Sequence, residues 1–430
     1  MANYKSYLFQ FISILFSFVN VKLMIEFLGD EDYSTWLVIF SIAGLIYALD
    51  LGIGSSVRNQ LARLISKNAT STAQARLVFG YYKLIIIFAA VFCLFTIGLG
   101  TLAHAFGWIE ELGTRTIVVL SILIFVDFAT RAHHPVFAGL QQPHSTNFAL
   151  AAIQMSIFLM LYFLLLPNRE SIHQKLWVFS FLVFGGSILI NAMMLVRLNH
   201  LIPLFAVTAT THSLAIRLRH SSVYLKRGLP FFFLQIAFAV LGQIPLYFIY
   251  QKFPTELIVE MAIADKVYAP FIVVATIIMY PFWSGYTLLM HRGESGRIRK
   301  LLRRQEYLSM ICLPILFLSI VFYDELVQLW LNRTIENSIF SVFALLKVFS
   351  IFLNSIYSYF MNAVGKLRPQ LYVYSIGLLV ALPIIYFGSE YQNIYVCLFV
   401  TPTVLLVSAL TQRHYVFNVI LAEGKKRTSW

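Results

Sequence analysis

Three charged residues lie deep inside long apolar runs and are the strongest candidates for chemistry. Asp127 and Arg131 are four residues apart, so on a helix they share a face and can pair. Lys347 lies in the run FALLKVFSIF. A charge at the centre of a membrane helix costs roughly 2.5–3.5 kcal/mol on insertion scales, so each one suggests a function. Arg and Lys both bind phosphate. We therefore predict that Arg131 and Lys347 bind an anionic group and that Asp127 orients Arg131.

Charged and polar residues nearer the helix ends are further candidates for the lining of a central substrate-binding cavity. Lys22 and Glu26 are also four residues apart, and they either line the cavity or form a structural pair. Arg58, Asn59 and Lys83 lie towards the predicted cytoplasmic surface. For Arg58 and Lys83 the alternative is snorkelling to the lipid headgroups.

Four further residues are candidates for coupling transport to an ion. Glu260, Asp265 and Lys266 lie in one predicted helix, and Asp50 lies near the cytoplasmic surface. A carboxylate at such a position can hold a proton or a sodium ion that is exchanged for cargo. We expect no resident cofactor. The adjacent pair His133-His134 is not expected to bind a metal, because neighbouring helical residues point in different directions.

The composition requires these residues to be placed in a membrane. The chain has 430 residues, of which 59% are apolar or aromatic and 12% are charged. Soluble domains have roughly 45–50% apolar and about 25% charged residues. The mean hydropathy is +0.78. These values exclude a soluble globular protein and a disulfide-rich secreted one, and they indicate a multi-pass membrane protein.

The apolar runs predict an all-α fold with about twelve transmembrane helices. The longest linker, at about 199–228, divides the chain into an N-terminal bundle (1–198) and a C-terminal bundle (229–430) of six helices each. Two such halves would be related by a pseudo-twofold axis along the membrane normal. The predicted spans are 7–28, 34–56, 77–103, 116–140, 146–166, 176–197, 229–250, 257–289, 306–331, 339–364, 371–388 and 392–417.

The basic residues predict the orientation of these helices. With the N-terminus in the cytoplasm, 22 of the 32 Lys and Arg residues fall on the cytoplasmic side, five on the opposite side and five within helices. This asymmetry is typical of membrane proteins in that orientation. Both termini are therefore predicted to be cytoplasmic. The net charge of +13 is then explained by topology and by contact with membrane lipids, and no nucleic acid partner is expected.

Neutral polar residues also occur inside one predicted helix. The stretch NSIYSYFMN, Asn354 to Asn362, places Asn, Ser and Tyr through an otherwise apolar segment. Sugars are often held by aromatic faces and by side-chain amides. The alternative is hydrogen bonding between helices. The residues leave both interpretations open.

Three stretches resemble the polysaccharide-lipid flippases (Wzx-like O-antigen flippases) of the multidrug/oligosaccharidyl-lipid/polysaccharide exporter superfamily. They are DLGIGSSVRNQLAR (50–63), YPFWSGYTLLMHRG (280–293) and YFMNAVGKLRPQLYVYS (359–375). The second stretch departs from the family pattern, because Leu-Leu-Met occurs where more polar residues are usual.

The resemblance implies a cargo and a location. The cargo would be an undecaprenyl-diphosphate-linked oligosaccharide, moved by alternating access from the cytoplasmic to the periplasmic leaflet of a bacterial inner membrane. A polysaccharide polymerase and chain-length proteins would be possible partners. The alternatives are a drug/cation antiporter of the same superfamily, which would have an acidic cavity, and a membrane glycan polymerase, which would need larger outer loops. The protein is therefore expected to be a transporter and not an enzyme.

Overall fold

The computed structural model describes residues 4–47, 52–66, 69–105, 114–140, 142–172, 174–202, 214–291, 293–335 and 338–420, and the described part contains helices and no strand. This confirms the predicted all-α fold. Two helices continue into a short π-helical segment, at Met160–Leu165 and Val416–Ile420. The helices are α1 (Tyr4–Tyr47), α2 (Ile53–Ser66), α3 (Ser71–Ala105), α4 (Thr114–Thr130), α5 (His133–Gly139), α6 (Pro143–Leu159), α7 (Lys175–Leu201), α8 (Leu214–Lys252), α9 (Thr255–His291), α10 (Ser295–Val321), α11 (Tyr323–Leu331), α12 (Ile339–Val364), α13 (Arg368–Glu390) and α14 (Ile394–Tyr415).

Ten helical segments of the described residues are long and apolar enough to cross a membrane. One of them, α1, breaks at Gly29, whose φ of 79° lies in the left-handed region that favours glycine. The break separates the first two predicted spans. The 37-residue helix α9 matches the predicted span 257–289. The chain is a multi-pass membrane protein.

The second predicted span, 34–56, is not one continuous helix; residues 48–51 lie outside the described residues, and Gly52 has a φ of 65°. Helix α1 ends at Tyr47, and Ile53 begins the separate helix α2. The physical reason for the break is Gly52, whose positive φ interrupts the helix, and the helix that follows it is polar, with Arg58, Gln60 and Arg63. Such a helix cannot continue into hydrocarbon without burying charge.

The chain divides into two compact units, residues 1–236 and 237–430. The division falls inside α8, which begins at Leu214. Part of the predicted linker 199–228 is therefore helical. Residues 203–213 of that linker lie outside the described residues.

Polar side chains join α1 to α6 in the first unit. The Asn20 side-chain amide donates to the backbone oxygen of Gln154 at 2.8 Å and to its Oε1 at 3.0 Å. The Asn147 amide donates to the backbone oxygen of Ser6 at 3.1 Å and to its Oγ at 2.7 Å. In lipid, such bonds and close packing replace the hydrophobic effect as the force that joins helices.

A close approach of α2 and α5 depends on a glycine. A Cβ atom at Gly139 would lie 3.0 Å from the backbone oxygen of Arg58 and 3.1 Å from the Cβ of Leu61. Gly139 is fully enclosed, and Leu61 is 0% exposed. A Cβ atom here would require the neighbouring atoms to shift by a few tenths of an ångström, so the contact favours glycine. The contact joins part of the stretch 50–63 to the short helix that follows Arg131.

Candidate functional site

The carboxylate of Asp127 lies at the centre of a hydrogen-bonded cluster in the first unit. Its Oδ2 accepts a bond from the Tyr47 hydroxyl at 2.5 Å and one from Arg131 Nε at 2.8 Å. Its Oδ1 accepts a bond from Ser187 Oγ at 2.7 Å and one from Asn191 Nδ2 at 3.2 Å. The side chain is 0% exposed. Four donors therefore compensate the cost of burying this charge.

Arg131 is oriented by this cluster but is not enclosed by it. Its Nη2 donates to Ser187 Oγ at 3.1 Å, and its guanidinium carbon lies 4.4 Å from the centre of the Tyr47 ring. Its side chain remains 25% exposed. Arg131 and Ala132 form a turn between α4 and α5, so this part of the helix is locally broken. The pairing of Asp127 with Arg131 that their spacing indicates is present, while a role in binding stays a prediction.

Three members of the cluster were not among the predicted site residues. They are Tyr47 at the end of α1, and Ser187 and Asn191 on α7. Ser187 and Asn191 are four residues apart in an apolar helix, which is the spacing of one face. That pattern is a signal for a polar partner of Asp127, but it does not identify the partner, because α4 and α7 are about sixty residues apart in the chain.

The second unit contains a different ion pair. Lys347 Nζ on α12 lies 2.7 Å from Asp265 Oδ2 on α9, and the two side chains are 29% and 40% exposed. Asp265 is one of the predicted coupling residues, and the sequence does not indicate its contact with Lys347. Glu260 is 7% exposed and Lys266 is half-buried, and each has an interaction partner. Whether Lys347 and Arg131 face each other stays a prediction.

The remaining predicted candidates have varied environments. Lys22, Glu26 and Lys83 are exposed, and no ion pair joins Lys22 to Glu26 among the described residues. The structural-pair interpretation of Lys22 and Glu26 is therefore not supported. Arg58 is half-buried and has an interaction partner. Asp50 and the side chain of Asn59 lie outside the described residues.

The adjacent histidines lie close to Arg131. His133 is 0% exposed, and its Nδ1 lies 2.9 Å from the backbone oxygen of Thr130. The rings of His133 and His134 meet edge to face with centroids 4.5 Å apart. Within the described part of the chain, no group of three or more His, Cys, Asp or Glu residues is arranged to hold a metal ion.

The neutral polar residues of α12 bind neighbouring helices. Asn354 Nδ2 donates to the Tyr374 hydroxyl at 2.7 Å, and Asn354 Oδ1 accepts a bond from Gln412 Nε2 at 3.0 Å. Gln412 Oε1 accepts bonds from Gln370 Nε2 at 3.0 Å and Ser358 Oγ at 3.1 Å. Asn354, Gln370 and Gln412 are buried, and the network joins α12, α13 and α14. This arrangement supports the hydrogen-bonding interpretation of Asn354 and Ser358 over a sugar site.

Solved membrane transporters share this fold. The chain superposes on an inward-facing multidrug resistance MATE family transporter of the MOP superfamily with a TM-score of 0.69, at 12% identity, over 96% of each chain. A MOP superfamily transporter from Pyrococcus furiosus gives a TM-score of 0.68 at 11% identity, over 98% of this chain and 95% of that one. The chain has the MOP-superfamily fold. The lipid II flippase MurJ, in an inward closed conformation, is also similar, with a TM-score of 0.65 at 12% identity, over 96% of this chain and 87% of that one.

Comparison of sequences gives a shorter match. A stretch of 53 residues is 34% identical to a Yersinia pseudotuberculosis protein whose name assigns it to O-antigen export. The match spans 12% of this chain and 12% of the length of that protein. No family model matches the chain.

Proposed function

We propose that this protein is a flippase for an undecaprenyl-diphosphate-linked oligosaccharide of the O-antigen type, and that Arg131 binds the diphosphate. The observation that carries the proposal is the asymmetry of the Asp127–Arg131 pair. The carboxylate is 0% exposed and all four of its donors are in place, whereas one quarter of the arginine side chain is exposed. An approaching ligand therefore meets the cation and not the anion.

The geometry of Arg131 suits a phosphate ligand. Its Nε and Nη2 are engaged by Asp127 and Ser187, and its Nη1 donates to no group among the described residues. Asp127 keeps the guanidinium in one orientation, which lowers the entropy that is lost when an anion binds. A phosphate oxygen can accept a charge-assisted hydrogen bond from Nη1 of the Arg131 guanidinium. A cationic drug would be repelled at the same place.

The pair in the second unit supplies a candidate for ion coupling. Lys347 and Asp265 are both partly exposed, so their 2.7 Å contact is accessible to an incoming ion. An anionic headgroup competes for Lys347, and a proton or sodium ion competes for Asp265. Binding of either one weakens the internal pair and thereby favours binding of the other. We propose this linked binding of cargo and ion as the coupling step, with Glu260 and Lys266 as neighbours of Asp265 along the same helix.

The comparisons support a lipid-linked cargo without specifying it. One structure of the same fold is a lipid II flippase, and the short sequence match is to a protein named for O-antigen export. We further propose that the protein lies in the bacterial inner membrane with both termini cytoplasmic. A polysaccharide polymerase and its chain-length partners would receive the cargo on the outer leaflet.

Complementation of a deletion strain tests the role of Arg131. Arg131→Ala is expected to abolish surface polysaccharide and to leave complete lipid-linked units on the cytoplasmic leaflet, and Arg131→Lys is expected to lose less, because a cation remains. The matched control is Arg169→Ala, which removes an exposed arginine from a predicted outer loop. Membrane levels of all variants are compared by immunoblot.

Two results would contradict the proposal in different ways. Normal polysaccharide with Arg131→Ala at matched levels would remove Arg131 from the site while leaving the flippase function open. Normal polysaccharide in the deletion strain itself, with no redundant flippase and with increased sensitivity to cationic drugs, would favour the drug/cation antiporter. Single units that reach the surface without polymerisation would favour the glycan polymerase.

A further inference from the structure

One exposed stripe of α10 changes from basic to apolar within a single helical turn. Ile298, Leu302, Gln305 and Ser309 form its buried face. The opposite face begins with three exposed cations, Lys300, Arg303 and Arg304. It continues with exposed apolar residues, which are Tyr307, Leu308, Ile311, Ile315 and Leu318. At 100° per residue these positions lie along one side of the helix.

The apolar part of the stripe has the dimensions of a lipid-facing surface. Exposed apolar side chains continue from Tyr307 to Val321, and the exposure is 69% at each of these two residues. At 1.5 Å per residue this segment is about 21 Å long, which is most of the roughly 30 Å hydrocarbon core of a bilayer. The three cations lie within about 10 Å of its start along the helix axis. With this apolar segment in the hydrocarbon core, the cations lie at the depth of the lipid headgroups.

The nearby acidic residues are already paired with other groups. Glu294 accepts a bond from Arg297 at 2.8 Å. Glu306 accepts a bond from Arg413 at 2.9 Å and a short bond from the Tyr357 hydroxyl. Among the described residues, no ion pair involves Lys300, Arg303 or Arg304. Three clustered positive charges therefore lack a counter-charge within the described part of the chain.

We propose that Lys300, Arg303 and Arg304 form a binding site for the phosphate of an anionic phospholipid, whose acyl chains lie along the apolar part of the α10 stripe. The charge of the site selects an anionic headgroup, and the adjoining apolar surface selects a lipid over a free phosphate ion. Arg supplies a planar fork for phosphate oxygens, and Lys supplies a point charge. The site does not depend on the proposed cargo, so it can fail without affecting the flippase proposal.

Native mass spectrometry of the purified full-length protein in detergent tests this site. Phosphatidylglycerol and phosphatidylcholine with identical acyl chains are titrated into the wild-type protein and into the triple variant K300Q/R303Q/R304Q. The triple variant is expected to bind phosphatidylglycerol about tenfold to a hundredfold more weakly and phosphatidylcholine equally well. The reason is that each basic residue near a membrane surface raises the affinity for an anionic lipid by about tenfold or less. The preference of the wild type should weaken as salt is raised.

The matched control removes the same number of charges from separate places. In K5Q/R169Q/K366Q, three exposed cations from different parts of the chain are changed, so the net charge equals that of the first variant. Equal weakening in both triple variants would overturn the proposal, because overall charge would then suffice. Unchanged phosphatidylglycerol binding in K300Q/R303Q/R304Q would also overturn it. If the triple variant does not remain monodisperse, the single variants Lys300→Gln and Arg303→Gln are compared with Lys366→Gln.

Discussion

The carboxylate of Asp127 is expected to stabilise the first unit through its charge and not merely through its shape. Asp127→Asn keeps the size of the side chain but turns one oxygen into a donor. Asn191 can accommodate the change by rotating its amide, because its Oδ1 is buried and has no partner in the described structure. The amide nitrogen would then point towards Asn191, and the remaining oxygen towards Tyr47 and Arg131. What is lost is the charge on the carboxylate and the bond that Ser187 Oγ donates to its Oδ1.

The size of this loss follows from the burial of the two partners. Removing one member of a fully buried ion pair costs roughly 3–5 kcal/mol. Here Arg131 is one-quarter exposed, so solvent or headgroup contact offsets part of the penalty. We expect Asp127→Asn to lower the free energy of unfolding by about 2–3 kcal/mol. The double variant D127N/R131Q should be more stable than the sum of the single losses predicts, by about 1 kcal/mol or more.

Unfolding of the purified protein in mixed micelles, followed by tryptophan fluorescence, measures these differences. Ser180→Ala is the control, since the buried Ser180 hydroxyl has no partner in the described structure and its loss should cost little. Additive losses in D127N/R131Q would refute the reasoning, because they would mean that Asp127 and Arg131 do not interact energetically. A loss for Asp127→Asn no larger than that of the Ser180 control would refute it as well.

Two further predictions use the same unfolding assay. Gly139→Ala should cost about 1–3 kcal/mol through the contact with the Arg58 carbonyl, whereas Gly80→Ala, with open space around it, should cost nothing measurable; equal effects would show that the contact is not tight. Gln412→Leu should cost about 1–3 kcal/mol, because Asn354 and Gln370 lose their partner inside the bundle; a stability equal to that of the wild type would indicate that water replaces the amide.

The fold was largely predictable because each transmembrane helix is specified locally. Runs of about twenty apolar residues must form helices in a bilayer, since no water is present to satisfy the backbone. The predicted span is wrong where a polar segment follows an apolar run. Residues 53–66 form a separate helix and not the end of a span, whereas the break in α1 at Gly29 falls between the first two predicted spans.

The candidate site was predictable only where its residues are close in sequence. Asp127 and Arg131 are one helical turn apart, so their pairing follows from helix geometry alone. Lys347 and Asp265 are 82 residues apart, and nothing in their local sequence indicates the contact. The same holds for Tyr47 and Ser187, which approach Asp127 from other helices.

The sequence by itself therefore determined the helical class, the approximate spans, the predicted orientation and which charges are costly to bury. These properties depend on composition and on the spacing of residues within one helix. The tertiary structure decided which partner each buried polar group receives. It enclosed Asp127 with four donors, left Arg131 partly exposed, and assigned Asn354 and Ser358 to contacts between helices. Helix packing alone sets these contacts, because a buried polar group must bind whatever donor or acceptor the neighbouring helix presents.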